Sequence, residues 1–104
     1  MNFATWKPIL EEVLAEVLKE SLPVTSDTWD GRPCLRVGSH HLIGESQSYP
    51  NKVEAIYIHP DTADIRYINE APTTFEDAAG MVAFDISAMA LRAKLHAWKA
   101  ARAA

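Results

Sequence analysis

The sequence predicts an α+β fold, in which an N-terminal helix precedes a four- or five-stranded antiparallel sheet and a long C-terminal helix follows it. Apolar residues recur at helical spacing in the first 22 residues and again after residue 73. Between these stretches, short β-branched runs alternate with turn-forming residues. We expect both helices on one face of the sheet, which leaves the polar side chains of the other face open to a partner.

The first helix is predicted between residues 5 and 22. Glutamates and lysines hold one face, and the other face carries Trp6, Ile9, Leu10, Val13, Leu14, Val17 and Leu18. Thr5 is the expected N-cap, and Pro8 is tolerated because a first-turn amide has no partner within the helix. Pro23 is expected to end the helix.

Five short strands are predicted at residues 24–29, 34–37, 40–43, 53–59 and 65–68. Asp30 and Gly31 form a dipeptide typical of a tight hairpin turn between the first two. Pro33 lacks a ladder amide, which indicates an edge strand or a bulge. The last two strands are joined by turn formers and are expected to be central, with Ile56 buried in an apolar face.

The C-terminal helix is predicted from residue 73 to residue 101. Thr73 with Glu76, or Thr74 with Asp77, has the spacing of a capping box. Acidic residues crowd its first turns and basic residues its last, which is the order that the helix dipole favours. One apolar stripe is predicted to lie on the sheet, and it contains Phe75, Ala79, Val82, Ile86, Met89 and Ala93.

A second apolar stripe on this helix also needs cover, and it contains Met81, Phe84, Ala88, Leu91, Leu95 and Trp98. The N-terminal helix, a second copy of the chain and a foreign partner are the three alternatives. Phe84 and Trp98 are about 20 Å apart along the helix, a length that favours a second copy over a short N-terminal helix. We therefore predict a homodimer whose interface contains Phe84, Leu91, Leu95 and Trp98.

Composition indicates one globular domain over residues 1–104, with residues 100–104 expected to fray. The formal charge of −4 disfavours direct binding to nucleic acid, because an acidic body repels phosphate. Cys34 is the single cysteine, so no disulfide within the chain is possible and a reducing cytoplasm is expected. Charges interrupt every apolar run, so we expect no membrane segment.

Residues with catalytic or metal-binding chemistry are few. Glycine-rich phosphate loops, HExxH runs and GxSxG elbows are absent from the sequence. We therefore predict no catalytic residue, no metal site and no cofactor. The alternative is a small enzyme or metal-binding protein that uses Cys34, His41, His59 and Asp61, with the cysteine as nucleophile or His59 and Asp61 as ligands.

The predicted function is non-catalytic binding of another macromolecule. In size, acidity and lack of catalytic motifs, the chain is similar to phage-encoded inhibitors of bacterial defence systems, such as anti-CRISPR proteins. That resemblance implies an inhibitor that binds a protein, or the protein of a nucleoprotein complex. The segment from residue 51 to residue 72 has a charge of −2, so we predict that a basic partner is recruited by Glu54, Asp61, Asp64 and Glu70.

Overall fold

The computed structural model describes residues 2–103 as two helices and one sheet. In chain order, the elements are α1 (Phe3–Leu18), β1 (Val24–Trp29), β2 (Arg32–Val37), β3 (His41–Glu45), β4 (Val53–Ile58), β5 (Ile65–Tyr67) and α2 (Phe75–Ala103). The predicted α+β class and the order of elements are confirmed.

The sheet is an antiparallel meander in which each strand pairs with the next along the chain. Asp30 and Gly31 have φ angles of 51° and 75°, which confirms the predicted tight turn between β1 and β2. The edge position predicted from Pro33 is wrong, because β2 lies between β1 and β3. Pro33 pairs only with Thr28 of β1, since the ladder with β3 begins one residue later at Cys34.

Both helices cover the same face of the sheet and form the main core with it. The side chains that fill this core are Phe3, Leu10, Leu14, Val24, Leu35, Val37, Ile43, Val53, Ala55, Phe75, Ala78 and Val82. The two helices meet near their N-terminal ends, where the Trp6 ring stacks on Phe75 with 4.6 Å between centroids. Alternation along each strand therefore sends every second side chain into this core and the rest to the opposite face.

The opposite face has no helix on it, yet its centre is apolar rather than polar as expected. Cys34, Leu42 and Ile56 form a small buried cluster, and Trp29 and Ile58 pack around it. Ile56 is buried as predicted, but on the face away from the helices. Its neighbours on the same sheet face exclude water from it, without a second layer of structure.

The helix α1 begins earlier than predicted. Asn2, not Thr5, is the N-cap, and its side-chain oxygen accepts a hydrogen bond from the Thr5 amide. Lys19 ends the helix in a left-handed conformation with φ 59°, so the chain leaves the helix before it reaches Pro23. The carboxylate of Glu11 then accepts a hydrogen bond from the Val24 amide and ties α1 to β1.

The helix α2 begins with one of the two predicted caps, since the Thr74 hydroxyl accepts a hydrogen bond from the Asp77 amide. Its predicted sheet-facing stripe is confirmed as far as Met89. Every residue from 90 to 103 is exposed, so the last half of the helix extends beyond the sheet. The helix includes part of the segment expected to fray, and Ala104 lies outside the described residues. Neither described helix is both long and apolar enough to cross a membrane.

Candidate binding surfaces

The second stripe of α2 faces away from the sheet and is uncovered in the monomer. The four predicted interface residues are all strongly exposed: Phe84 at 77%, Leu91 at 59%, Leu95 at 57% and Trp98 at 56%. Residues of α1 pack near the start of α2 and on the sheet, so α1 does not cover this stripe. The structure therefore excludes intramolecular cover and leaves a second copy or a foreign partner.

A second apolar surface is a groove of about 310 Å³ between the two helices. Leu10 and Leu14 of α1 are buried at its inner side. The wall on α1 is a row of half-exposed side chains at helical spacing, Ile9, Val13 and Val17. On α2 the lining begins with Phe75 and Glu76. It continues with three residues that have small or no side chains, Ala79, Gly80 and Ala83.

This groove is open along α2 because the residues there lack bulk. A Cβ atom built on Gly80 would have no heavy atom within 4 Å, so free space continues above the helix backbone. Small residues at such positions let another helix approach closely. The two helices are therefore not packed closely against each other here, and the space between them is open to the side chains of a partner helix.

Three exposed glutamates lie at the groove or close to it in α1. Glu12 and Glu16 are exposed on α1, three residues from Ile9 and Val13 respectively, and Glu76 lines the groove on α2. Among the described residues, none of the three glutamates forms an ion pair. A cationic side chain on a ligand in the groove would therefore find unpaired carboxylates within reach.

The four acidic residues predicted to recruit a partner form two separate pairs on the β4–β5 hairpin. Glu54 and Glu70 line a shallow depression beside Tyr67. Asp61 and Asp64 lie in the exposed turn, where backbone amides bond to side chains within the turn itself. Within residues 2–103 none of the four forms an ion pair, and none lines the groove between the helices.

A polar network connects the sheet to α2. The Nε2 atom of His41 lies 2.7 Å from Oδ2 of Asp85, and Nη2 of Arg66 donates to both carboxylate oxygens at 3.1 and 3.0 Å. The Arg66 guanidinium also lies over the Tyr57 ring, 5.0 Å from its centroid. These contacts hold the edge strand β5 and the centre of α2 in one arrangement.

The protonation states of His41 and Asp85 follow from burial and from the hydrogen bonds between these groups. Burial lowers the pKa of His41, and this effect exceeds the opposing pull of the Asp85 carboxylate. Burial raises the pKa of Asp85, but the hydrogen bonds from His41 and Arg66 together outweigh it and lower that pKa. At neutral pH the imidazole is therefore neutral and donates its Nε2 proton to an ionised carboxylate. These hydrogen bonds tie both β3 and β5 to α2.

The residues of the alternative catalytic or metal-binding hypothesis are dispersed. Cys34 faces the open side of the sheet and His41 the helix side, so His41 does not reach the thiol. Burial, with a contribution from Asp27, raises the pKa of Cys34 to about 11, which keeps the thiol protonated at neutral pH. His59 and Asp61 are close, but the His59 Nδ1 atom accepts the Asp61 amide proton as part of the turn. Within residues 2–103, no three metal-ligating side chains converge.

The groove was not predicted from the sequence, which indicates only that seven apolar residues share one face of α1. Three of them, Ile9, Val13 and Val17, are exposed in the structure. The sequence carries a signal for Ile9 and Val13, because these two residues lie on the side of the apolar face that is next to Glu16. An apolar face that spans nearly half of a helix is wider than one sheet contact can cover.

Comparisons of the chain with protein-family models, with curated proteins and with solved structures found no match.

Proposed function

We propose that this chain is a non-catalytic binding protein, and that the groove between α1 and α2 receives an amphipathic helix from a partner protein. The observation that carries the proposal is the row of half-exposed Ile9, Val13 and Val17 opposite the small residues of α2. A partner helix inserts side chains at positions i, i+3, i+4 and i+7 into such a groove. The gain comes from removal of apolar surface from water on both sides.

A helix fits the groove better than a small molecule does. Sites for small molecules combine an apolar lining with several convergent polar groups that fix the ligand's orientation. Glu76 is the one charged residue of this lining, and the rest is aliphatic, aromatic or glycine. The free volume continues along Gly80, as an elongated apolar ligand requires.

The glutamates at and near the groove support a basic partner helix. Glu76 lines the groove, and Glu12 and Glu16 are exposed three residues beyond Ile9 and Val13 of its wall; among the described residues, none of the three glutamates has a cationic partner. A partner helix with lysine or arginine beside its apolar face would place those cations against the three carboxylates. The proposed partner is therefore a basic, amphipathic segment of a protein, and direct contact with nucleic acid is not proposed.

The acidic hairpin residues have a lesser role in this proposal. They do not line the groove, so their contribution is limited to long-range attraction of a basic partner. Charge reversal of both Glu54 and Asp64 should slow association with such a partner at low salt and have little effect at high salt. An unchanged association rate at low salt would remove these residues from the proposal.

Two finer statements belong to the same proposal. Inhibition of a bacterial defence system, in the manner of anti-CRISPR proteins, is one form that such binding takes and stays a prediction. A reducing cytoplasm is the proposed location, because Cys34 has no possible disulfide partner within the chain.

The experiment compares two substitutions at sites of nearly equal exposure. Val13 is 47% exposed in the groove, and Ile65 is 46% exposed on the open sheet face. Val13→Asp and Ile65→Asp therefore introduce the same carboxylate at nearly the same exposure, and circular dichroism checks that both variants fold. The probe is a synthetic 14-residue helix with leucines on one face and flanking lysines, and its binding is followed by fluorescence anisotropy.

We expect the wild type and Ile65→Asp to bind the lysine-flanked peptide and Val13→Asp to lose binding. A second peptide, with glutamate in place of lysine, should bind much more weakly to all three proteins. In parallel, the same three proteins serve as bait in a host lysate, where the partner should be retained by the first two only. Equal peptide binding by all three proteins, or no binding by any of them, contradicts the proposal.

A further inference from the structure

The exposed stripe of α2 has the regular spacing of a coiled-coil seam. Its apolar members, Met81, Phe84, Ala88, Leu91, Leu95 and Trp98, follow one another at alternating intervals of three and four residues. Asp77 precedes the series by four residues and Arg102 follows it by four, so both continue the repeat. A seam of this kind packs against another helix over its whole length.

Charge is divided between the two halves of the same helix. Residues 75–89 contain Glu76, Asp77 and Asp85 and no lysine or arginine, which gives a charge of −3. Residues 90–103 contain Arg92, Lys94, Lys99 and Arg102 and no acidic residue, which gives +4. An identical helix that runs in the opposite direction would place each half beside its complement, whereas a parallel copy would place like charges together.

We propose that the second stripe of α2 binds the same stripe of a second copy of this chain, in an antiparallel coiled coil related by a twofold axis. Such an interface is self-complementary, because the same patch serves on both sides. The extension of α2 beyond the sheet, which has no cover of its own, would then lie over the first half of the partner's α2. None of the six stripe residues lines the groove between the two helices.

The repeat also sets the register. The seam has two kinds of position, at the start and at the end of each three-residue interval. In an antiparallel coiled coil, each layer pairs a residue of the first kind on one helix with a residue of the second kind on the other. That rule pairs Phe84 with Leu95, Ala88 with Leu91 and Met81 with Trp98 of the other copy. At each end, Asp77 meets the partner's Arg102, whose guanidinium already lies over Trp98 at 3.7 Å from the ring centroid.

The first test measures mass in solution by light scattering. The wild type should have twice the 11.5 kDa chain mass, and Leu91→Asp should be a folded monomer by circular dichroism. Leu91 is 59% exposed and belongs to neither core cluster, and Leu95→Asp, further along the exposed extension, provides a second variant. Ala97→Asp is the matched control, because it adds the same charge to the opposite side of the same extension and should stay dimeric. A monomeric wild type, as a foreign partner of this surface would require, overturns the proposal, as does a dimeric Leu91→Asp.

The second test determines orientation by cross-linking. The native cysteine is buried, so thiols introduced by Ser87→Cys and Lys94→Cys are the ones that a short bifunctional maleimide reaches. Both positions flank the seam on the same side, and the antiparallel register places residue 87 of one copy beside residue 94 of the other. A mixture of the two variants should give cross-linked dimers in high yield, and each variant alone should give few. A mixture that gives no more cross-linked dimer than either variant alone overturns the antiparallel register.

Discussion

The small apolar cluster on the helix-free face of the sheet should contribute strongly to stability, although no helix covers it. Ile56 at its centre is 0% exposed, and Ile65 on the same face is 46% exposed. Substitution of either by alanine removes three carbon atoms, at roughly 0.8 kcal/mol per buried carbon. For Ile56 the transfer loss is therefore about 2.4 kcal/mol.

The structure also bounds the added cavity cost for Ile56→Ala. The cluster has one layer, so neighbouring side chains can collapse into the space more easily than in the core beneath the helices. We expect a total loss of about 2.5–3.5 kcal/mol, in the lower part of the range for such substitutions. Ile65→Ala, with about half of the side chain already in water, should lose about 1 kcal/mol.

Urea denaturation of both variants at one fixed protein concentration, followed by circular dichroism, measures these losses as differences in the free energy of unfolding. The protein concentration is kept fixed because dimerisation of the folded chain would make the measured free energy of unfolding depend on concentration. A loss below about 1 kcal/mol for Ile56→Ala, or equal losses for the two variants, would refute the conclusion that same-face neighbours alone bury this side chain.

Two further outcomes follow from particular residues. Folding lowers the pKa of His41. As the pH falls below about 6.5, the unfolded chain therefore binds a proton at this residue that the folded chain does not bind. The free energy of unfolding should consequently fall by up to about 1.4 kcal/mol per pH unit. His41→Gln should flatten the pH dependence of the free energy of unfolding between pH 7 and pH 5, and an unchanged slope would contradict this. Gly31 has φ 75°, so Gly31→Ala should cost about 1 kcal/mol, whereas Gly44→Ala places its Cβ at an ordinary 3.6 Å from Cys34 and should cost almost nothing. Thermal and urea melts of the two glycine variants compare these costs directly, and equal losses would count against backbone strain as the cause.

Local sequence signals predicted most of the elements of this fold. The turn at Asp30 and Gly31, the cap at Thr74 and the order of helices and strands depend on residues a few positions apart, so they can be read from the chain alone. The errors also have local explanations. Asn2 precedes Thr5 as a cap, and Pro33 lies where the ladder with β3 has not yet begun.

The candidate surfaces were only partly predictable. The second stripe of α2 was visible as a period in the sequence, and Phe84, Leu91, Leu95 and Trp98 are indeed exposed on it. The groove was not visible, because its two walls are some 70 residues apart and only the fold places them together. The contact of His41 with Asp85, which are 44 positions apart, has the same cause.

By itself, the sequence determined the type, the order and the approximate position of the helices and strands, since helical period, strand alternation and turn chemistry act over a few neighbouring residues. It also determined that α2 has two apolar stripes and a charge that changes sign along its length. Only the tertiary structure decided which stripe the sheet covers, which apolar side chains of α1 stay in water and which sheet face holds Ile56. Burial depends on contacts between distant segments, and apolar side chains of similar character compete equally for the same core until packing selects among them.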